Sequence, residues 1–207
     1  MQAIRRIMDS IEKHGLLLMQ DARLLSVVGL VTAEKLKGSW WSHPRSHEIF
    51  ACLQALAEDE RVLSTKLVGG KVTFVHERLW PSLLVVAEAN APWQLEDLAD
   101  AARTLLRRVR RSGEVRASGR VAKELEIRLL VHSREVHTES GRHEILLQSW
   151  KRLAAKQRHG GRDLGNRPSS TSARQIIEEA VRSIGGSGGE LPWEGAIPRR
   201  RSPRRRA

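Results

Sequence analysis

Ile4, Ile7, Met8 and Ile11 recur at helical spacing, so residues 2–14 read as an amphipathic helix that Gly15 ends. Residues 16–19 (L-L-L-M) follow as an apolar run short enough for a buried strand. From 21 to 36 the pattern is mixed, and residues 24–31 fit a short helix or irregular core equally well. Residues 48–58 turn helical again, with Ile49, Leu53, Leu56 and Ala57 on one side. Two short runs rich in Val, Thr, Leu and Phe then flank Gly69-Gly70. A Gly-Gly pair there predicts a β-hairpin, because both residues reach positive φ without a Cβ clash. In the second run Val72, Phe74 and His76 share one face, and Thr73 and Val75 the other. Lys66 and Lys71 bracket the turn, so its tip is expected to be cationic. Residues 79–91 read as a helix with Pro81 near its start, where the missing N–H costs nothing.

Asn90-Ala91-Pro92-Trp93 reads as a boundary. From Leu95 a strong helix begins, with Leu98, Ala102, Leu105, Leu106 and Val109 as its apolar stripe and Ser112-Gly113 as its end. Its arginines cover the remaining surface, and those in the last turn suit the helix dipole. A short link leads to a second helix over 120–128, then a strand over 129–138, a turn at 139–142, and a return strand or short helix over 143–150. Beyond Ala155 the composition shifts to Gly, Arg, Ser and Pro. Apart from one isolated helix over 174–184, this stretch is expected to be disordered. The expected organisation is a unit over 1–91, a second over 95–155 and a disordered basic tail over 156–207.

Charge refines this division. The net charge is +12, and residues 151–207 hold 14 basic and 5 acidic residues, a net of +9. The first 150 residues hold the other 22 and 19, a net of +3, so a pI signal for nucleic acid comes mostly from the tail. Six Trp, two Phe and no Tyr argue against base-stacking platforms of the kind that single-strand and RNA binders use. One cysteine, Cys52 in an apolar run, leaves no intramolecular disulfide and no cysteine-based zinc site, and is expected to be buried. No apolar run approaches the ~20 residues of a membrane span, and the N-terminus lacks the apolar centre of a signal peptide. The expected location is therefore the cytoplasm.

Candidate chemistry is sparse. His43 and His47 stand four apart, but Pro44 places His43 ahead of the helix. His132 and His137 stand five apart on a predicted strand and point to opposite faces, with His143 and Glu144 across the turn. No set of three or four ligands converges, so neither a metal nor any other cofactor is expected. Glu48, Glu77 and Glu139 are the carboxylates available for acid–base work, and their spacing does not set them apart from solvated glutamates. Gly69-Gly70-Lys71 lacks the phosphate-loop frame. The basic residues available to phosphates are Arg116, Arg120, Lys123 and Arg128 around the second helix, Arg134 and Arg142 on the second hairpin, and Lys66 and Lys71 on the first. Trp40-Trp41 is an alternative contact, for a protein partner.

Helix, link, helix and hairpin is the layout of a winged-helix unit, and it occurs twice. The N-terminal helix followed by G-L-L-L, the hairpin K-L-V-G-G-K-V-T-F-V-H-E-R-L-W-P and the later A-A-R-T-L-L-R-R-V-R-R-S-G-E-V carry a resemblance. Over residues 4–150 the chain resembles short bacterial winged-helix proteins related to the AlkZ-type DNA glycosylases of crosslink and alkylpurine repair. The resemblance implies an α+β fold of tandem winged-helix-like units that associates with double-stranded DNA. Those glycosylases use a Gln-x-Gln or Gln-x-Asp motif, and the nearest string here, Gln94-Leu95-Glu96-Asp97, has the wrong last residue. The expectation is a non-catalytic DNA-binding relative. A glycosylase of alkylated or crosslinked bases and a Trp40-Trp41 interaction module are the alternatives. Between Val115 and Leu129 there is room for one helix at ~1.5 Å per residue, so the second unit is expected to be truncated.

Overall fold

A computed structural model describes residues 2–137, 143–161 and 164–195. The first helix, α1 (Gln2–His14), buries Ile7 and Ile11, and Gly15 ends it at φ +81°. The apolar run after it pairs as β1 (Leu16–Leu18). The mixed stretch contains α2 (Val27–Thr32), whose first turn is capped by Ser26 accepting the Gly29 N–H at 3.2 Å. A single helical turn at Trp40–Ser42 leads into α3 (Ser46–Glu58). The predicted hairpin is β2 (Val62–Lys66) and β3 (Val72–His76), paired antiparallel, with Gly69 and Gly70 both at positive φ in the connection. Next comes α4 (Trp80–Glu88), with Pro81 in its first turn.

These strands form a sheet of order β1-β3-β2. Thr73, Phe74, Val75 and His76 are all buried, so β3 does not alternate between core and solvent as its sequence does. It is the central strand, and the first hydrophobic cluster encloses it together with Leu17, Val31, Ile49 and Leu83. Thr73 is accommodated because its hydroxyl accepts the Val68 N–H and donates to the Lys71 carbonyl.

After α4 the chain makes one turn, α5 (Pro92–Leu95), and a non-helical link in which Asp97 takes φ +54°. The helix expected from Leu95 therefore starts later, as α6 (Asp100–Ser112). The link is held open because the Glu124 carboxylate accepts the Ala99 N–H and Arg103 donates to the carbonyls of Leu95 and Leu98. Then come β4 (Glu114–Arg116), α7 (Gly119–Ile127), β5 (His132–His137) and β6 (His143–Gln148), in a second antiparallel sheet of order β4-β6-β5. A separate small core of Leu98, Ala102, Leu105, Leu106, Val109, Leu125, Val131 and Leu147 lies within this unit. Two sheets with helices packed on them make the fold α+β.

The expectation of disorder beyond 155 is corrected for the described residues. Helix α8 (Trp150–His159) buries Trp150, Leu153 and Ala154, and α9 (Ser170–Ser183) packs along α4 with Ala173, Ile177, Ala180 and Val181 inside the first core. Leu191 is fully buried, and the following turn sets Trp193 against Trp93 with ring centroids 6.0 Å apart. A Gly/Ser-rich composition conceals this because the apolar residues are few but fall at 173, 177, 180, 181 and 184, one helical face. The last described residues also close over the first hairpin, where the Gly69 N–H donates to the Glu190 carbonyl at 2.7 Å. Among the described residues no helix is long and apolar enough to cross a membrane.

Candidate nucleic-acid interface

The eight basic residues expected to grip phosphate separate into distinct groups. Lys66, at the end of β2, is paired with Glu126 of α7, which is buried and also accepts from the Ser133 hydroxyl. Lys71 is paired with Asp21. Burial pushes the Asp21 carboxyl up, but the Lys71 ammonium and the Leu24 and Arg23 N–H groups outweigh this and hold it below the usual carboxylate range. The tip between the two lysines is touched by Glu190, whose carbonyl accepts the Gly69 N–H, and by Ile127, whose side chain lies where a Cβ on Gly70 would touch it. The first hairpin thus carries two ion-paired lysines on either side of a turn whose Gly69 stays exposed, so the cationic tip expected from sequence is neutralised by Glu126 and Asp21.

Arg128 is corrected more strongly. It is buried at the end of α7, and its Nη1 donates to the carbonyls of Trp93, Gln94 and Glu96 at 3.2, 3.3 and 2.6 Å. It satisfies the open carbonyl end of α5 and is out of reach of a duplex. Beside it Gln94 is fully buried and every polar atom of its amide is used. Its Nε2 donates to the Ala87 and Arg128 carbonyls, and its Oε1 accepts the Ala91 N–H. The residue that begins the string nearest to the glycosylase motif is therefore a structural clamp between α4, α5 and α7.

Arg116 lies on the surface with Glu144 at 3.1 Å, a pairing weak enough in water to be exchanged for a phosphate. Arg142 lies outside the described residues. Three of the eight, Arg120 and Lys123 on α7 and Arg134 on β5, are exposed and have no hydrogen bond or ion pair with the described residues. Arg120 and Lys123 stand three apart on a helix and so share a face. Helix α7 can carry its cations outward because its other side is anchored: Ala122 and Leu125 enter the small core while Glu124 and Glu126 turn to Ala99 and Lys66.

His132 stands at the junction of the two sheets. Its Nε2 hydrogen donates to the Ser64 carbonyl at 3.2 Å, its ring meets Trp150 edge-on at 5.6 Å, and its Nδ1 is buried with no partner among the described residues. Burial lowers its pKa from 6.5 to about 4, so the ring is neutral. His43 is likewise used locally, its Nδ1 accepting the Arg45 N–H at 3.0 Å and its Nε2 lying 3.7 Å from Glu34. Glu48 pairs with Arg45 at 2.7 Å.

Trp40 and Trp41 part company. Trp40 is buried, whereas Trp41 is 65% exposed and stacks on it with ring centroids 4.0 Å apart and planes at 23°. Phe50 of α3, 51% exposed, lies 6.2 Å from Trp41. Sequence reasoning missed Phe50. The readable signal was that Phe50 falls off the side of α3 that carries Ile49, Cys52 and Leu56.

No protein-family model, no curated protein and no solved structure matches the chain.

Proposed function

We propose that the protein binds double-stranded DNA through its second unit, gripping phosphates without reading sequence. The observation that carries this reading is the sorting of the cations. Lys66 and Lys71 are neutralised and Arg128 is buried, while among the described residues Arg120 and Lys123 are left without a partner on one face of α7, the helix directly ahead of the β5–β6 hairpin, and Arg134 likewise on that hairpin. The element order supports a winged-helix assignment. Helix, strand, two helices and two strands with β3 central describe the first unit, and the second repeats the order one helix short. The relation to repair glycosylases rests on sequence resemblance, and the use of Gln94 as a clamp favours a non-catalytic member.

The test is fluorescence anisotropy of the full chain with a labelled duplex across a salt series. Each phosphate neutralised contributes about 0.9 to the slope of log K against log salt. The double variant Arg120→Ala/Lys123→Ala is expected to flatten the slope by about 2. Absent or salt-independent binding by the wild-type chain would overturn the reading.

A further inference from the structure

Helix α3 and the turn before it carry an aromatic surface that the duplex reading does not use. Trp41 is covered on one face by Trp40, yet 65% of it remains exposed, so the opposite face of its indole is open. Trp40 is buried, which fixes the plane of the stack from below. Phe50 stands at one side, and His47, Phe50, Ala51 and Gln54 continue the exposed face of α3 at helical spacing. The loop leading into the turn presents Lys35 and Lys37, both exposed and without a hydrogen bond or ion pair to the described residues.

Three observations narrow what this surface takes. First, size: with ~150–250 Å² per aromatic side chain, Trp41 and Phe50 at their exposures offer on the order of 250 Å². A stable protein interface needs ~800 Å² from each partner, so the patch falls well short of a dimer or a protein docking face. It matches the footprint of one or two planar rings. Second, shape: the open side is a flat ring already stacked at 4.0 Å on another, and the group that extends such a stack is a third planar π-system. Third, charge: the loop just ahead of the turn carries Lys35 and Lys37 against one exposed acid, Glu34, which lies 3.7 Å from His43, and this balance suits an anionic ligand.

We infer that Trp41, flanked by Phe50 and supported by Lys35 and Lys37, stacks an unpaired nucleobase of a single strand whose phosphates lie along the loop. The inference rests on the nucleic-acid reading above and adds a second, chemically different contact to it. The low aromatic content of the whole chain does not exclude this, because two exposed rings suffice at one site.

Trp41 also supplies the readout, because it is the only tryptophan in the exposed class among the described residues. Titration of the full chain with oligothymidylate is expected to quench tryptophan fluorescence saturably. An abasic strand of the same length and free thymidylate are expected to quench little at equal phosphate concentration. Trp41→Ala should remove the saturable quench and weaken the strand about tenfold to a hundredfold by anisotropy. Trp41→Phe should retain most of the affinity, which separates stacking from misfolding. Lys35→Ala/Lys37→Ala is expected to flatten the single-strand salt slope by about 1.4. Equal quenching by the abasic strand or by free thymidylate overturns the inference. So does a Trp41-dependent, concentration-dependent dimer in sedimentation without quenching, which would make the patch a protein interface. Duplex binding sensitive to Arg120 and Lys123 but indifferent to strand quenching leaves the duplex reading standing alone, so the two fail separately.

Discussion

His132 is held neutral between two sheets, and the cost of protonating it has a sign that can be measured. Its folded pKa, about 4, lies below the unfolded 6.5 because burial penalises the imidazolium, with Arg134 adding to the effect and Glu126 opposing it. The unfolded chain therefore takes up a proton at a higher pH than the folded one. Stability is full above about pH 6.5 and falls as the pH drops toward 4, by about 3 kcal/mol from this residue alone. His76 and His14 are shifted in the same direction by burial and add to the slope. His132→Gln, whose amide can still donate to the Ser64 carbonyl, is expected to remove the larger part of the loss between pH 6.5 and 4.5 in urea unfolding. An unchanged pH dependence would mean that His132 titrates as if solvated. At this scale the sequence is a poor guide. Nothing around Arg128 distinguishes it from Arg120, because the distinction is three backbone carbonyls that only the fold of α5 brings to it.

Among the elements, α9 separates what composition implies from what packing does. Its apolar positions form one stripe, and the partner for that stripe is α4, nearly a hundred residues earlier. Its ends are tied by charge: Arg167, just before it, meets Glu88 at 2.6 Å, and Glu178 within it accepts the Trp193 indole N–H at 3.1 Å. Ile177→Ala is expected to cost about 2–5 kcal/mol in urea unfolding, the range for truncating a buried isoleucine. A residue in a disordered tail would cost nothing. Elements with strong local signals were legible in advance: α1 with its Ile7–Ile11 stripe, the Gly69-Gly70 hairpin, α4 with its early proline, and α7. The start of α6 was not, since the apolar pattern runs on through Leu95 while Arg103 and Glu124 hold residues 96–99 out of the helix. Nor was the aromatic patch, because Trp40 and Trp41 are identical in sequence and opposite in burial.

For the molecule as a whole, the two units are joined by more than a linker. Lys66 reaches Glu126, His132 reaches Ser64, Gln94 bridges Ala87 and Arg128, and Leu129 and Trp150 enter the first core. Such bonds are lost if either unit opens alone, leaving a buried carboxylate and several backbone carbonyls without partners. A single cooperative transition is expected in calorimetry, with the van't Hoff and measured enthalpies equal. Two resolved transitions would show that the units unfold independently. A rigid junction also bears on the two proposed contacts, since α7 and the Trp41 stack would then keep a fixed separation along a bound nucleic acid.

The closure of Glu190 over Gly69 has a consequence for the birth of the chain. The first core is completed by Ala173, Ile177, Val181 and Leu191, so α4 meets α9 only after about a hundred more residues have been joined. At ~5–20 residues per second, a ribosome needs roughly 5–20 s to supply them. During that interval the side of α4 that α9 later covers is left open. Nascent-chain pulse proteolysis should find the N-terminal unit cleavable until α9 has cleared the exit tunnel, and resistant soon afterwards.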